Sequence, residues 1–275
     1  MTEKTFTYQN SSIVYRTIGE GNIVVLLHGF AEDGDIWENQ VNFLKDKFRL
    51  IIPDLPGSGR SELVQEADIE TYAQIIKEII ATELADSPNR DETVSLIGHS
   101  MGGYITLAIA EKYPHYLNSF GLFHSSAFAD SEEKKQVRTK AIDFINDNGA
   151  NAFLKTSIPG LFTKEFVAAY PEKIDDLIDR GKSFSPQALV QYYKAMIARP
   201  DRTNVLKTFP KPILFIMGEF DNAIPLQSSL QQCYLPLQSH VHLLEHSAHM
   251  GMWEEADLSN QLLLKFLLHT TGKPV

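Results

Sequence analysis

Val94-Ser95-Leu96-Ile97-Gly98-His99-Ser100-Met101-Gly102-Gly103-Tyr104 leads from an apolar strand, through a glycine-flanked serine, into a helical pattern. Within it Gly98-His99-Ser100-Met101-Gly102 fits G-x-S-x-G, where a tight, strained strand-to-helix turn lifts a serine hydroxyl above the end of a sheet. A side chain at Gly98 or Gly102 would collide with neighbouring backbone as the chain doubles back. A five-residue pattern gains weight only from its context. Here Glu92 to Ile97 reads as the strand and Met101 to Tyr113 as the helix.

Working outward, Phe6 to Thr17 alternates apolar and polar residues and reads as an opening antiparallel hairpin with its turn near Asn10-Ser11. Ile23-Val24-Val25-Leu26-Leu27 is a continuous apolar run, the pattern of a strand covered on both faces. Similar runs recur at Leu50–Ile52, Val94–Ile97, Ser119–Phe123, Ile213–Met217 and Val241–Leu244. Helical patterns occupy Asp35–Lys47, Ile69–Ala85, Met101–Tyr113, Pro225–Tyr234 and Glu254–His269. The alternation predicts an α/β fold, a mostly parallel doubly wound sheet of about eight strands. Between Ser126 and Leu206 it stops, and helical segments follow one another, with Ser131 and Ser185-Pro186 as start signals. The expected division is therefore a core of residues 1–126 and 207–275 with an inserted helical cap over 127–206.

The composition sets limits on function. With Lys+Arg 25 against Asp+Glu 35 the net charge is −10, which disfavours nucleic acid and anionic membrane surfaces. The single cysteine, Cys233, forms no internal disulfide and reads as a half-buried helix residue. The first residues lack a signal-peptide pattern and no apolar run is long enough to span a bilayer, so a cytoplasmic location is expected. Asp54-Leu55-Pro56-Gly57-Ser58-Gly59-Arg60-Ser61 lacks the completing residues of a phosphate-binding loop and reads as a structural turn.

A serine hydroxyl is a poor nucleophile near neutral pH and needs a base, with a third group to hold that base in the right tautomer. Asp221 lies just past the Ile213–Met217 run and His249 just past Val241–Leu244, giving the order Ser100, Asp221, His249 expected after such an elbow. Among nine histidines His249 is preferred, with His246 as fallback, and Glu219 is the rival acid. Carbonyl attack also creates an oxyanion that needs fixed N–H donors. The amides of Met101, after the serine, and Phe30, in His28-Gly29-Phe30, are the expected pair. His28 is expected to brace that loop and to border the substrate, with Phe128, Phe162, Tyr192 and Met196 from the helical insert.

His28-Gly29-Phe30, Asp54-x-x-Gly57-x-Gly59-x-Ser61, Gly98 to Gly103, Gly218-x-x-Asp221 and the His249 loop together resemble the α/β-hydrolase superfamily over the whole chain except the cap. The likeness is to its capped esterase, lactonase and carbon–carbon hydrolase branch. Ala195 to Asp201 resembles enol-lactonase-like members. Serine at position 100 departs from the aspartate of haloalkane dehalogenases and epoxide hydrolases. The resemblance implies attack by Ser100 on an ester-type carbonyl of a small-molecule substrate, proton transfer through His249, orientation by Asp221, and no metal or organic cofactor. Carbon–carbon cleavage, lactone opening or a lyase step with the same residues are the competing enzymatic readings. Arg138, Arg199 and Arg202 are then candidates to hold a substrate carboxylate. A ligand-binding protein on the hydrolase fold is the reading of another class.

Overall fold

The computed structural model describes residues 1–86 and 93–272; the strand start expected at Glu92 and the last three positions of the expected core lie outside them. Strands β1 (Thr2–Tyr8), β2 (Ser11–Ile18), β3 (Ile23–Leu27), β4 (Arg49–Pro53), β5 (Val94–His99), β6 (Leu117–Phe123), β7 (Ile213–Gly218) and β8 (Ser239–Leu244) form one sheet in the order β1-β2-β4-β3-β5-β6-β7-β8. Pairs β1–β2 and β2–β4 are antiparallel and the rest are parallel. The opening hairpin turns at Gln9 and Asn10, both at positive φ (47° and 69°), one residue earlier than the sequence suggested. Two such residues give the backbone twist that closes a two-residue hairpin.

The helices are α1 (Glu38–Leu44), α2 (Ile69–Ala85), α3 (Met101–Lys112), α4 (Glu132–Asn148), α5 (Ala150–Ser157), α6 (Lys164–Ala169), α7 (Pro171–Gly181), α8 (Pro186–Ala198), α9 (Thr203–Thr208), α10 (Leu226–Leu230), α11 (Gly251–Glu254) and α12 (Ala256–Thr270). Asp68 caps α2 by accepting from Thr71 N–H, and the stripe Ile69, Ala73, Ile76 and Ile80 is buried against the sheet domain. Each such isoleucine contributes about 1.5–3 kcal/mol of burial. Ser131 and Ser185 cap α4 and α8 as their sequence positions predict. Helices α4 to α9 fill the interval between β6 and β7, with no strand among them.

Two elements differ from the sequence reading. The run 241–244 was expected to be buried, but β8 has a partner on one side only, and Val241 and Leu243 are exposed. The helix expected over Pro225–Tyr234 is limited to α10. Beyond it the buried Gln232 side chain joins Ala127 N–H (2.8 Å) and Ser125 C=O (2.9 Å), tying this stretch to the strand exit after β6.

The connectivity fixes where a site can form. From β3 the chain moves outward through α1 to β4, whereas from β5 it moves the other way through α3 to β6. Right-handed crossovers then put α1 and α3 on opposite faces. Strand order reverses between β3 and β5, opening a crevice at their carboxyl ends. Gly29-Phe30 leaves β3 there, and Ser100 leaves β5.

The elbow's glycines are steric necessities. A Cβ on Gly98 would sit 2.3 Å from the Gly102 carbonyl oxygen, and one on Gly102 would sit 2.6 Å from those of Leu27 and His28. A Cβ on Gly160, by contrast, would meet nothing within 4 Å. Gly98→Ala is therefore expected to lose more than about 4 kcal/mol of stability, and Gly160→Ala to stay within about 0.5 kcal/mol of the parent. Urea unfolding of the two variants side by side checks this; a Gly98→Ala protein as stable as the parent contradicts the steric account.

Candidate active site

Ser100 stands between β5 and α3 at φ 49° and ψ −115°, a backbone region that non-glycine residues occupy only under constraint, at a cost of order 1–3 kcal/mol. The constraint comes from both sides of the residue. Ser100 N–H donates to Phe123 C=O (3.0 Å), while its own carbonyl accepts from Ser125 Oγ (2.7 Å) and Gly103 N–H (3.0 Å). In an otherwise buried neighbourhood Ser100 keeps partial exposure.

The loop after β3 presses directly against it. A Cβ on Gly29 would lie 3.0 Å from Ser100 Cβ, a contact tight enough that the neighbours would have to shift. Among the described residues neither Phe30 N–H nor Met101 N–H donates to a protein acceptor, and Ser100 supplies no side-chain cap to the first turn of α3. Free amides at a helix start are suited to bind an anion.

Asp221 and His249, expected from strand ends, meet: His249 Nδ1 lies 2.8 Å from Asp221 Oδ2. The carboxylate also accepts Ala223 N–H and Ile224 N–H at Oδ1, both at 2.8 Å. Burial alone would raise the Asp221 pKa, but the His249 and His124 imidazoles and their hydrogen bonds hold it well below the usual carboxylate range. An ionised carboxylate only accepts, so His249 Nδ1 carries the proton and Nε2 is left available as a base. The rival Glu219 takes no part in this pairing. No hydrogen bond joins Ser100 Oγ to an imidazole among the described residues; such contacts commonly tighten only with substrate bound. His99, next to Ser100 in the chain, donates from Nε2 to the His249 carbonyl at 3.0 Å, with ring centroids 4.8 Å apart. His246 is exposed, and its N–H donates to Glu255 Oε2 at 2.9 Å rather than to Ser100 or Asp221.

The structure adds His124, Glu32 and Glu254, to which the sequence reading gave no role. His124, also at positive φ (48°), is buried with Nδ1 3.1 Å from the same Asp221 oxygen and Nε2 accepting Gly251 N–H at 3.2 Å. Its place just past β6 follows the same strand-end rule that located Asp221 and His249, so a signal was present. Burial pushes its pKa down to about 4 despite Asp221. Glu32 Oε2 lies 3.0 Å from His99 Nδ1 and accepts Gly29 N–H at 2.6 Å. Glu254 accepts Ala248 N–H (2.9 Å) and Met250 N–H (3.2 Å) around His249, and Thr163 N–H (2.7 Å) from the helical segment. His249 N–H itself donates to Leu161 C=O at 2.9 Å. Atoms of His124, Asp221 and His249 lie within 4.8 Å of one another, and the two Nδ1–H groups converging on Oδ2 make them a hydrogen-bonded cluster.

His124 has a consequence for stability. Its folded pKa is depressed, so between about pH 6.5 and about pH 4 the unfolded chain binds a proton that the folded chain refuses. Its contribution is present above the unfolded value and lost as pH falls through that window, on the order of 3 kcal/mol in all. His124→Asn, whose amide tolerates positive φ and does not titrate, is expected to lose that much less stability between about pH 7 and about pH 4. Urea unfolding at both pH values measures it; parallel losses in parent and variant contradict the assignment.

The expected substrate contacts separate. Tyr192 is buried, donates its hydroxyl to Pro56 C=O (2.7 Å) and meets the Phe30 ring edge-on at 6.2 Å. Tyr193 stacks on Phe30 at 4.3 Å and Phe153 meets it edge-on at 6.2 Å, giving the Gly29-Phe30 loop an aromatic ceiling. Phe162 stacks on Phe166 and lines a cavity of about 1070 Å³ with Phe220, Asn222, His246 and Ala248, whose lining does not include Ser100. Phe128 is half-buried, and its carbonyl and that of Met196 accept from Arg199. His28 is fully buried, with Nε2 accepting Leu55 N–H and Nδ1 meeting Gly29 C=O, both at 2.9 Å. The expectation that it borders substrate gives way to the bracing role alone, since no free edge of the ring remains. Arg138 and Arg199 pair with buried Asp130, and Arg202 with Glu70 and Glu111, so these guanidiniums secure the segment's ends. Cys233 is buried in the turn after α10, not within a helix. No helix among the described residues is long and apolar enough to cross a membrane.

A family model for the alpha/beta hydrolase fold matches residues 22–256. A putative carbamate hydrolase of Agrobacterium fabrum is 27% identical over 256 residues, covering 92% of this chain and 95% of that one. A 2-hydroxy-6-oxononadienedioate/2-hydroxy-6-oxononatrienedioate hydrolase of a Pseudomonas species is 24% identical, covering 94% and 92%. Among solved structures, a thermophilic esterase from Thermogutta terrifontis superposes with a TM-score of 0.89 at 26% identity, covering 98% of this chain and 99% of that one.

Proposed function

Because this chain belongs to the alpha/beta-hydrolase family, we propose that it is a serine hydrolase cleaving carboxylic esters of small to medium apolar acyl substrates. Ser100 Oγ attacks the carbonyl carbon as its proton passes to His249 Nε2. The oxyanion so formed is received by the amides of Phe30 and Met101. Collapse expels the alcohol, which takes the proton from His249, and leaves an acyl-enzyme. Water, deprotonated by the same imidazole, releases the acid and restores Ser100. Asp221 keeps His249 in the tautomer with Nε2 free. The helical segment 127–206 serves as the lid, its rings excluding water from the acyl group. No metal or organic cofactor enters this chemistry.

What supports the reading is the placement, beyond the carboxyl ends of four strands of one sheet, of a positive-φ serine, two undonated amides and an imidazole held 2.8 Å from a buried carboxylate. Phe30, Phe153 and Tyr193 favour an apolar acyl group over a charged one. The relatives act on different bonds, so the test is a panel of nitrophenyl esters of increasing acyl length with a carbamate, a lactone and a vinylogous β-diketone. The highest kcat/KM is expected for short to medium acyl esters. Turnover confined to the diketone overturns the ester reading in favour of carbon–carbon cleavage, and binding without turnover of any member favours a ligand-binding role.

A further inference from the structure

His99 is fully buried beside Ser100, yet both of its ring nitrogens face groups that only accept. Nδ1 lies 3.0 Å from Glu32 Oε2, and Nε2 lies 3.0 Å from the backbone carbonyl of His249. A neutral imidazole has one N–H and one lone pair, so it cannot satisfy both; an imidazolium can. Burial by itself would favour the neutral ring, but the Glu32 charge and hydrogen bond, with the His249 carbonyl, raise the His99 pKa above its ordinary value. Glu32 is lowered: burial would raise it, but the charge and hydrogen bond of His99, the Gly29 N–H bond and the His28 ring together outweigh that. An ion pair taken out of water in this way returns little net stability, so its place in the fold calls for another account.

The connections supply it. The Glu32 oxygen that meets His99 also accepts Gly29 N–H at 2.6 Å, and Gly29 precedes the Phe30 amide. The His99 nitrogen opposite holds the carbonyl of His249. Trp37 and Phe123 wall the ring edge-on, at centroid separations of 6.4 Å and 6.3 Å. We propose that Glu32 and His99 form a positioning unit in which His99, donating through both nitrogens, holds the Gly29-Phe30 loop and the His249 loop in register on either side of Ser100. Neither residue touches substrate. The inference rests on the proposed roles of Ser100, Phe30 and His249. A misplacement of an ångström at those groups is enough to lower turnover about 100-fold.

The test uses the whole protein with Glu32→Gln, His99→Gln and the double variant, assayed on a nitrophenyl ester and by the rate of Ser100 labelling with a fluorophosphonate. Each single change is expected to lower kcat and labelling about 10- to 100-fold with KM altered less than about threefold, in proteins that still melt cooperatively. Because the two side chains act as one unit, the double variant is expected to fall no further than the worse single. A folded variant with kcat within about threefold of the parent, losses that multiply in the double, or kcat and KM changing together would each overturn the proposal. Nitrogen-15 NMR of the parent gives a reading independent of any variant: His99 must carry protons on both ring nitrogens at about pH 7, and a neutral ring overturns the proposal. Failure of the parent to label at Ser100 overturns the nucleophile assignment and this inference with it; normal labelling of parent and variants alike overturns this inference alone.

Discussion

Ser100→Ala is expected to lower kcat for a chromogenic ester by roughly 10⁵- to 10⁶-fold while the protein stays folded. On the proposed mechanism the loss is large because the hydroxyl forms the covalent bond, and water held in its place lacks both the nucleophile's position and the acyl-enzyme route. Stability should hardly change. The strained backbone at position 100 is fixed by main-chain bonds to Phe123 and Gly103 and by the Ser125 hydroxyl, none of which uses Ser100 Oγ. Stopped assays with enough enzyme to read the residual rate, alongside thermal melts, decide it. A folded variant retaining more than about one-hundredth of parental kcat ends the nucleophile assignment.

Asp221→Asn is expected to cost about 10³- to 10⁴-fold in kcat. The carboxylate receives four N–H groups, two imidazole protons at Oδ2 and two amides at Oδ1. An amide has a single oxygen. If that oxygen keeps Ala223 and Ile224, its NH₂ meets two Nδ1–H groups, and His249 relieves the clash by moving its proton to Nε2, where it can no longer accept from Ser100. If the amide turns over, the two buried main-chain donors are orphaned instead, at about 1–3 kcal/mol each. Either arrangement spares the substrate-facing side chains, so KM should stay within about threefold. A variant with near-parental kcat would mean that another group orients the base.

The same four bonds show why the site was only partly legible in the sequence. Ser100, Asp221 and His249 were readable because each obeys a local rule, an elbow between glycines or a polar residue just past an apolar strand. His124 obeyed the rule too, but a strand end says where a residue sits and not which atom it meets. Its partner Asp221 is 97 residues away. Glu32 offered no signal: it is an acidic residue in a polar loop until the fold brings it against His99, 67 residues on. The edge strand β8 misled in the opposite sense, since an apolar run looks the same whether one neighbour covers it or two.

What the chain determined by itself was the alternation of strands and helices, the tight strand-to-helix turn at Ser100, and the order Ser100, Asp221, His249 at strand ends. Those depend on steric and hydrophobic preferences that act within a few residues or along one face of an element. Tertiary structure alone decided that two further imidazoles flank His249, that His28 braces a loop, that the candidate arginines pair with carboxylates, and which aromatic rings roof Phe30. The physical reason is that hydrogen-bond pairing and charge state depend on distance and desolvation, and those exist only after remote segments have packed.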